Sequence, residues 1–194
     1  GERRARRRFV ARPGQVSRIA GPPVPVMLAA MKPLLFLLWL MLVPLALADN
    51  PGWLIIEEEV AAAAAKPGIT VVHFWAPWCP NSAAEHREQG WGKFIAAHPE
   101  VRFIFVTVRS SDPGYDYLEA RGVGGQGNLT LRHHPNHVRR GEGRITSFMD
   151  IPISWVPTTW VFREGRLCYA FNYGEVRFPL LAQLVADAAD DWKH

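Results

Sequence analysis

Beyond residue 48 the chain predicts an α/β fold, one central sheet covered by helices on both faces. Two short β-branched and aromatic runs, Ile69–Trp75 and 101–108, have the nearly unbroken apolar character of strands buried on both sides. Segments of helical character precede and follow each of them. Near the end, two further runs separated only by Glu164-Gly165 read as a hairpin.

Taken in order, Asn50-Pro51 is a helix-start signal, since proline near the first helical position gives up no hydrogen bond. Residues 53–66 follow as a helix, with Glu57, Glu58 and Glu59 read as a solvated face and Pro67-Gly68 as the stop. After the strand at 69–75, residues 80–98 read as a second helix, with Gly90 and Gly92 marking a kink. The strand at 101–108 leads to Asp112-Pro113, which opens a short helix reaching Arg121. Residues 122–150, rich in Gly, Arg and His, show weak periodicity and read as a surface insertion with a short helix at 145–149. Strands at Thr158–Arg163 and Arg166–Phe171 form the hairpin, and an amphipathic helix over 177–192 closes the chain.

Charge is unevenly distributed. Residues 1–48 hold eight Lys/Arg against the single acid Glu2, a balance of +7, while residues 49–194 hold 14 Lys/Arg against 17 Asp/Glu, a balance of −3. The pI near 9.4 therefore belongs to the N-terminal segment and gives no argument for nucleic-acid binding. Met31-Lys32, the uncharged apolar run 33–47 and the small-x-small triplet Ala46-Leu47-Ala48 predict a signal peptide over 31–48, cleaved after Ala48. The run is shorter than the ~20 residues a membrane-crossing helix needs, so no stable membrane anchor is expected. Residues 1–30 read as a disordered basic extension upstream of the true start at Met31. The expected product is exported and periplasmic. It carries two thiols, Cys79 and Cys168, too few for a disulfide framework.

The chemistry sits in Phe74-Trp75-Ala76-Pro77-Trp78-Cys79-Pro80-Asn81-Ser82, where a buried strand runs into a turn and the cysteine meets the next helix. Unpaired backbone N–H groups and the positive end of a helix stabilise an anion there. The thiolate is the nucleophile in disulfide exchange, so Cys79 is placed to attack. Pro80 in the first turn fixes the helix start.

This segment resembles the active-site stretch of thioredoxins, and Val156-Pro157-Thr158 ahead of the hairpin resembles the family's cis-proline segment. Glu85, three residues past Ser82, matches the Trp-Cys-x-x-Cys-x-x-Glu pattern of the TlpA/ResA-type extracytoplasmic branch, with which the leader agrees. The resemblance covers residues 53–108 and 151–192 and implies a thioredoxin fold, with Val156 and Pro157 lying against Cys79. Trp78, Pro80, Val156 and Pro157 are then the substrate-binding candidates, and Cys79, Ser82, Glu85 and His73 the catalytic ones. The partners it implies are protein or small-molecule thiols and disulfides, with a membrane-bound reductant among the candidates. A monomer without cofactor or metal is expected.

Two departures reshape that expectation. Ser82 stands where the family has its resolving cysteine, and a hydroxyl cannot close a disulfide, so only monothiol exchange with an external resolving thiol survives. The Ser82 hydroxyl, one turn from Cys79, is a candidate hydrogen-bond donor to the sulfur. His73 stands where thioredoxins commonly carry a buried acid. An imidazole titrates near neutrality, which makes it a candidate proton partner for Cys79, against the plainer reading of a core histidine. Cys168, mid-strand, reads as structural. His133, His134 and His137 lack a nearby Cys or acid at metal-ligand spacing and read as a solvated loop. The alternative function is a non-cycling thioredoxin-fold binding or chaperone module, with Trp75, Trp78, Trp155 and Trp160 as a peptide platform. A thiol peroxidase is disfavoured because Ala76 and Val72 occupy the positions where it needs a hydroxyl residue and a proline. Copper delivery lacks a second cysteine at ligand spacing.

Overall fold

The computed structural model describes residues 52–171 and 177–190. The expected basic extension, signal peptide and cleavage site lie outside the described residues. Helix α1 (Ile55–Ala64) leads into strand β1 (Ile69–Trp75). Helix α2 (Pro80–Glu85), a single 3-10 turn (Arg87–Gln89) and α3 (Gly90–Ala97) follow, then β2 (Arg102–Thr107) and α4 (Tyr115–Glu119). Next come β3 (Leu129–His133), β4 (Ser147–Phe148), β5 (Ile151–Pro152), β6 (Thr158–Arg163), β7 (Arg166–Phe171) and α5 (Phe178–Ala189).

The main sheet has the order β3-β2-β1-β6-β7. Strand β1 runs parallel to β2 and antiparallel to β6; β3 is parallel to β2, and β7 antiparallel to β6. Every residue of the central strand β1 is buried, which is why its sequence shows no alternation. Alternation reappears in the packing. Val72 and Phe74 join α1 through Ile56, Val60 and Ala64, whereas Val71 and Trp75 join α3 and α5 through Trp91, Ile95, Leu181 and Val185. Helices cover both faces, as the sequence predicts.

Several expectations are corrected. The helix expected over 80–98 breaks before the glycines, because Glu88 and Gln89 adopt left-handed φ of 53° and 59°. Gly90 and Gly92 serve packing instead: a Cβ on Gly90 would meet the Phe178 ring, and one on Gly92 would overlap the carbonyl of Gly122. The stretch 122–150 contributes a strand to the main sheet, β3, whose five residues are all half-buried at an edge and so carry no in–out pattern. The helix expected at 145–149 is a β-hairpin: Phe148 pairs with Ile151 across Met149-Asp150, whose φ values of 50° and 59° are those of a tight primed turn. Glu57 is no solvated residue. It is 9% exposed, and its carboxylate accepts the N–H of Leu54 at 2.8 Å and of Met149 at 2.6 Å, tying the start of α1 to that hairpin.

Since the Gly122 carbonyl is backbone, it has little room to yield. Gly92→Ala is expected to destabilise the domain by about 1–3 kcal/mol in denaturant unfolding. An unchanged midpoint would show that α3 and the 122 turn are not in close contact.

Candidate functional site around Cys79

Strand β1 ends at Trp75, and the chain turns over Ala76–Cys79, closed by the Cys79 N–H donating to the Ala76 carbonyl at 3.0 Å. Cys79 is the N-cap residue of α2, with extended backbone (φ −86°, ψ 121°), and Pro80 takes the first helical position. Its thiol lies 3.3 Å from the Val156 carbonyl oxygen and donates to it. The Val156–Pro157 peptide bond is cis. The two segments that the sequence singled out, 77 positions apart, meet at one sulfur. Cys79 is 7% exposed, and so is Val156.

Ser82 is fully buried. Its hydroxyl oxygen accepts the Ala76 N–H at 3.3 Å, so the side chain braces the turn that presents Cys79 and makes no hydrogen bond to the sulfur. This corrects the expected Ser82–sulfur contact, because the oxygen is drawn to an otherwise unpaired backbone N–H.

His73, the candidate proton partner, is not in hydrogen-bond contact with the thiol. The parity of β1 places it on the face packed by α3, against the rings of Trp91 (4.5 Å) and Phe105 (4.8 Å), whereas Cys79 packs with the α1 face. No hydrogen bond joins the two. The imidazole Nδ1 is 2.9 Å from the Thr159 hydroxyl, and Nε2 lies 3.4 Å from the Glu85 carboxylate, without hydrogen-bond alignment. Burial strips the charged imidazole of water and, with His86 nearby, holds its pKa well below the ordinary 6.5. It is therefore neutral across the physiological range.

Glu85 is 3% exposed and receives the Trp91 indole N–H at 3.4 Å. Ser82 and Glu85 thus share the buried side of α2, as their spacing predicts. Below them lies His86, which the sequence reading passed over: it is 1% exposed, ringed by Trp75, Phe105 and Tyr117, and neither ring nitrogen has a hydrogen-bond partner. Desolvation first, and the Arg121 charge second, lower its pKa to about 4.

Of the four tryptophans proposed as a platform, Trp75 and Trp160 are fully buried core, Trp155 is 63% exposed beside Val156, and Trp78 is half-buried. Trp78 donates its indole N–H to the Arg109 carbonyl at 2.8 Å. Arg109 was also missed. Its left-handed backbone (φ 55°) turns that carbonyl toward Trp78, while its guanidinium, in a residue 4% exposed, donates to the carbonyls of Ile145 and Ile153 at 2.8 and 2.7 Å. No local sequence signal marks a non-glycine residue with positive φ. Away from the site, Cys168 is half-buried where β7 slips register between Val161 and Phe162. The histidine segment is less solvated than expected: His134 is 3% exposed, and His133 stacks on His137 at 4.9 Å. Among the described residues no group of three His, Cys, Asp or Glu is arranged to hold a metal ion.

No protein-family model matches the chain, and no curated protein does. Solved structures similar to it include a secreted disulfide oxidoreductase of Mycobacterium tuberculosis, described as homologous to E. coli DsbE. It is 20% identical, covers 64% of this chain and 85% of its own, and has a TM-score of 0.46. A thiol:disulfide interchange protein of the thioredoxin family from Chlorobium tepidum is 18% identical over 66% of this chain and 85% of its own, TM-score 0.48. StoA from Bacillus subtilis is 19% identical over 61% and 83%, TM-score 0.43. The mixed five-stranded sheet in the order β3-β2-β1-β6-β7 with helices on both faces, and a cis-proline loop set against the N-cap of α2, has the topology of a thioredoxin fold. Among the described residues no helix is long and apolar enough to cross a membrane.

The histidines give the site a pH signature. In the unfolded chain both titrate near 6.5. As pH falls, the unfolded chain therefore binds protons first, so their contribution is complete above pH ~6.5 and is lost progressively toward pH 4. For His86 this amounts to about 3 kcal/mol. His86→Leu is expected to flatten the unfolding free energy between pH 6.5 and 4 by about one proton's slope. An unaltered slope would contradict the burial of a neutral His86.

Proposed function

We propose that this chain is an exported, periplasmic thioredoxin-fold protein that performs monothiol thiol–disulfide exchange through Cys79. The observation that carries this reading is the placement of the sulfur: at the N-cap of α2, 3.3 Å from Val156 on the cis-proline segment. In the reaction, Cys79 Sγ attacks one sulfur of a partner disulfide. Cys79 gives its proton to solvent, a Cys79–partner disulfide forms, and the other partner sulfur leaves with the electron pair and takes a proton from solvent. Ser82 supplies no sulfur, so an external thiol must attack the mixed disulfide and restore Cys79. Protein or small-molecule disulfides are the substrates, and a membrane-bound reductant is a candidate source of electrons.

Trp78, Pro80, Val156 and Pro157 frame the approach to the sulfur. Ser82 positions the turn; Glu85, buried under the same helix, is the candidate proton-handling group, with His73 fixing its surroundings rather than exchanging protons with Cys79. The burial of Cys79 supports a second reading, a binding or chaperone module that holds partners in the groove without turnover. It differs in one respect: partner binding then survives loss of the thiol.

The experiment is trapping. The domain from residue 49 onward, incubated with bis(2-hydroxyethyl) disulfide and with periplasmic extract under non-reducing conditions, is expected to carry a covalent adduct on Cys79. The adduct should vanish in Cys79→Ser and persist in Cys168→Ser. Absence of any adduct, with extract partners retained equally by Cys79→Ser, would refute exchange and support the binding module.

A further inference from the structure

The surroundings of Trp78 are basic on a domain whose overall balance is −3. Residues 135–144, Pro-Asn-His-Val-Arg-Arg-Gly-Glu-Gly-Arg, hold three arginines against one acid. The segment folds back over the active-site turn: the Arg139 guanidinium sits 3.9 Å from the centre of the Trp78 ring, directly beside Cys79 in the chain. Such stacking leaves the edge of the guanidinium and its N–H donors open. Arg139, Arg140 and Arg144 are exposed. None of the three takes part in an ion pair among the described residues.

Behind the loop stands a fourth cation. Arg109 is buried, holds only backbone carbonyls, and keeps a buried Nε–H without a partner. Those carbonyls belong to Ile145, Ile153 and Ser154, which flank the hairpin β4–β5 and precede Trp155 and Val156. The Arg109 side chain thus braces the segment leading to the cis-proline, while its backbone carbonyl accepts the Trp78 indole N–H. Arg139 stacks on Trp78, Arg140 and Arg144 belong to the same loop, and Arg109 braces the segment ahead of Val156. Of the acids of the site itself, Glu85 is buried beneath α2 against Trp91. Glu142 alone offsets the loop.

We infer that the 135–144 loop and Arg109 select the partner of Cys79, favouring disulfides flanked by carboxylates. The half-buried Trp78 ring beneath the Arg139 guanidinium lowers the local dielectric beside Cys79, and an anionic disulfide is drawn in and held while exchange occurs. This rests on the exchange reading of Cys79. The shared chemistry is a carboxylate next to a cystine, which either a small peptide thiol or an acidic protein segment supplies.

The test measures the second-order rate of mixed-disulfide formation at Cys79 in a Cys168→Ser background. The probes are dianionic 3,3′-dithiodipropionate, neutral bis(2-hydroxyethyl) disulfide and dicationic cystamine. Wild-type-to-variant ratios for each probe cancel its intrinsic reactivity. In Arg139→Ala/Arg140→Ala/Arg144→Ala, exposed positions that leave the core untouched, the dianion is expected to slow about three- to tenfold. The neutral probe should hold its rate, and cystamine should gain. Raising salt to about 1 M, where screening acts within ~3 Å, should erase the difference in the wild type. Glutathione disulfide and an Asp-flanked cystine peptide, run in parallel, identify the source by which of them loses more. Equal ratios for all three probes would overturn the selection while leaving exchange intact. No reaction with the neutral probe would overturn the exchange reading, and the selection with it.

Discussion

A single contact organises the site: the Cys79 sulfur against the Val156 carbonyl at 3.3 Å. Neither segment could be brought there alone. Strand β1 delivers Cys79 four residues past its end, and β6 begins one residue after Pro157. Both ends are pinned because Phe74 pairs with Thr158 in the antiparallel ladder between β1 and β6. The central strand therefore sets the position of the nucleophile and of the loop that faces it in the same stroke. The turn at 76–79 is braced by Ser82, and the loop by the Thr158 hydroxyl donating to Trp155 and by Arg109 holding Ile153 and Ser154.

Burial and electrostatics divide the region into two layers. On the α3 side of β1 lie His73, His86, Glu85 and Trp91, with both imidazoles kept neutral by desolvation. On the α1 side lies Cys79, packed with Phe148, Ile153 and Val156 and overlooked by a basic loop. Ser82 serves as a structural brace, since its hydroxyl accepts the Ala76 N–H and can form no disulfide. On the exchange reading proposed above, the single sulfur of Cys79 takes its partners from outside, and the arginines of the loop over Trp78 choose among them.

Much of the fold was legible because the sequence states it in strong terms. The β-branched runs, the Glu164-Gly165 hairpin with φ of 50° and 81°, and the proline at the start of α2 each carry a local physical signal. The hairpin at Met149-Asp150 uses the same left-handed geometry without a glycine, so nothing local announces it. Glu57 reads as one of three surface acids, and only a partner 92 positions away, Met149, gives it a buried role. The face on which His73 lies was hidden for a related reason. In a strand buried on both sides, apolar neighbours surround every position, and alternation no longer separates the Cys79 side from the other. Cys79 stood out because a strand, a turn and a helix start in succession are local features, whereas Val156 and Pro157 were singled out only through resemblance to a cis-proline segment. Arg109 was not, since its importance lies in three carbonyls from residues 145–154.

The proposed exchange requires that the fold activate Cys79 rather than merely bury it. Its most direct measurement is the iodoacetamide alkylation rate of Cys79 at pH 7, in a Cys168→Ser background, for the native domain and for the same chain unfolded in urea. The native thiol is expected to react faster than the unfolded one, despite being 7% exposed. A native rate below the unfolded rate would mean that the helix start and the Val156 carbonyl shield the sulfur, and the exchange chemistry would be lost.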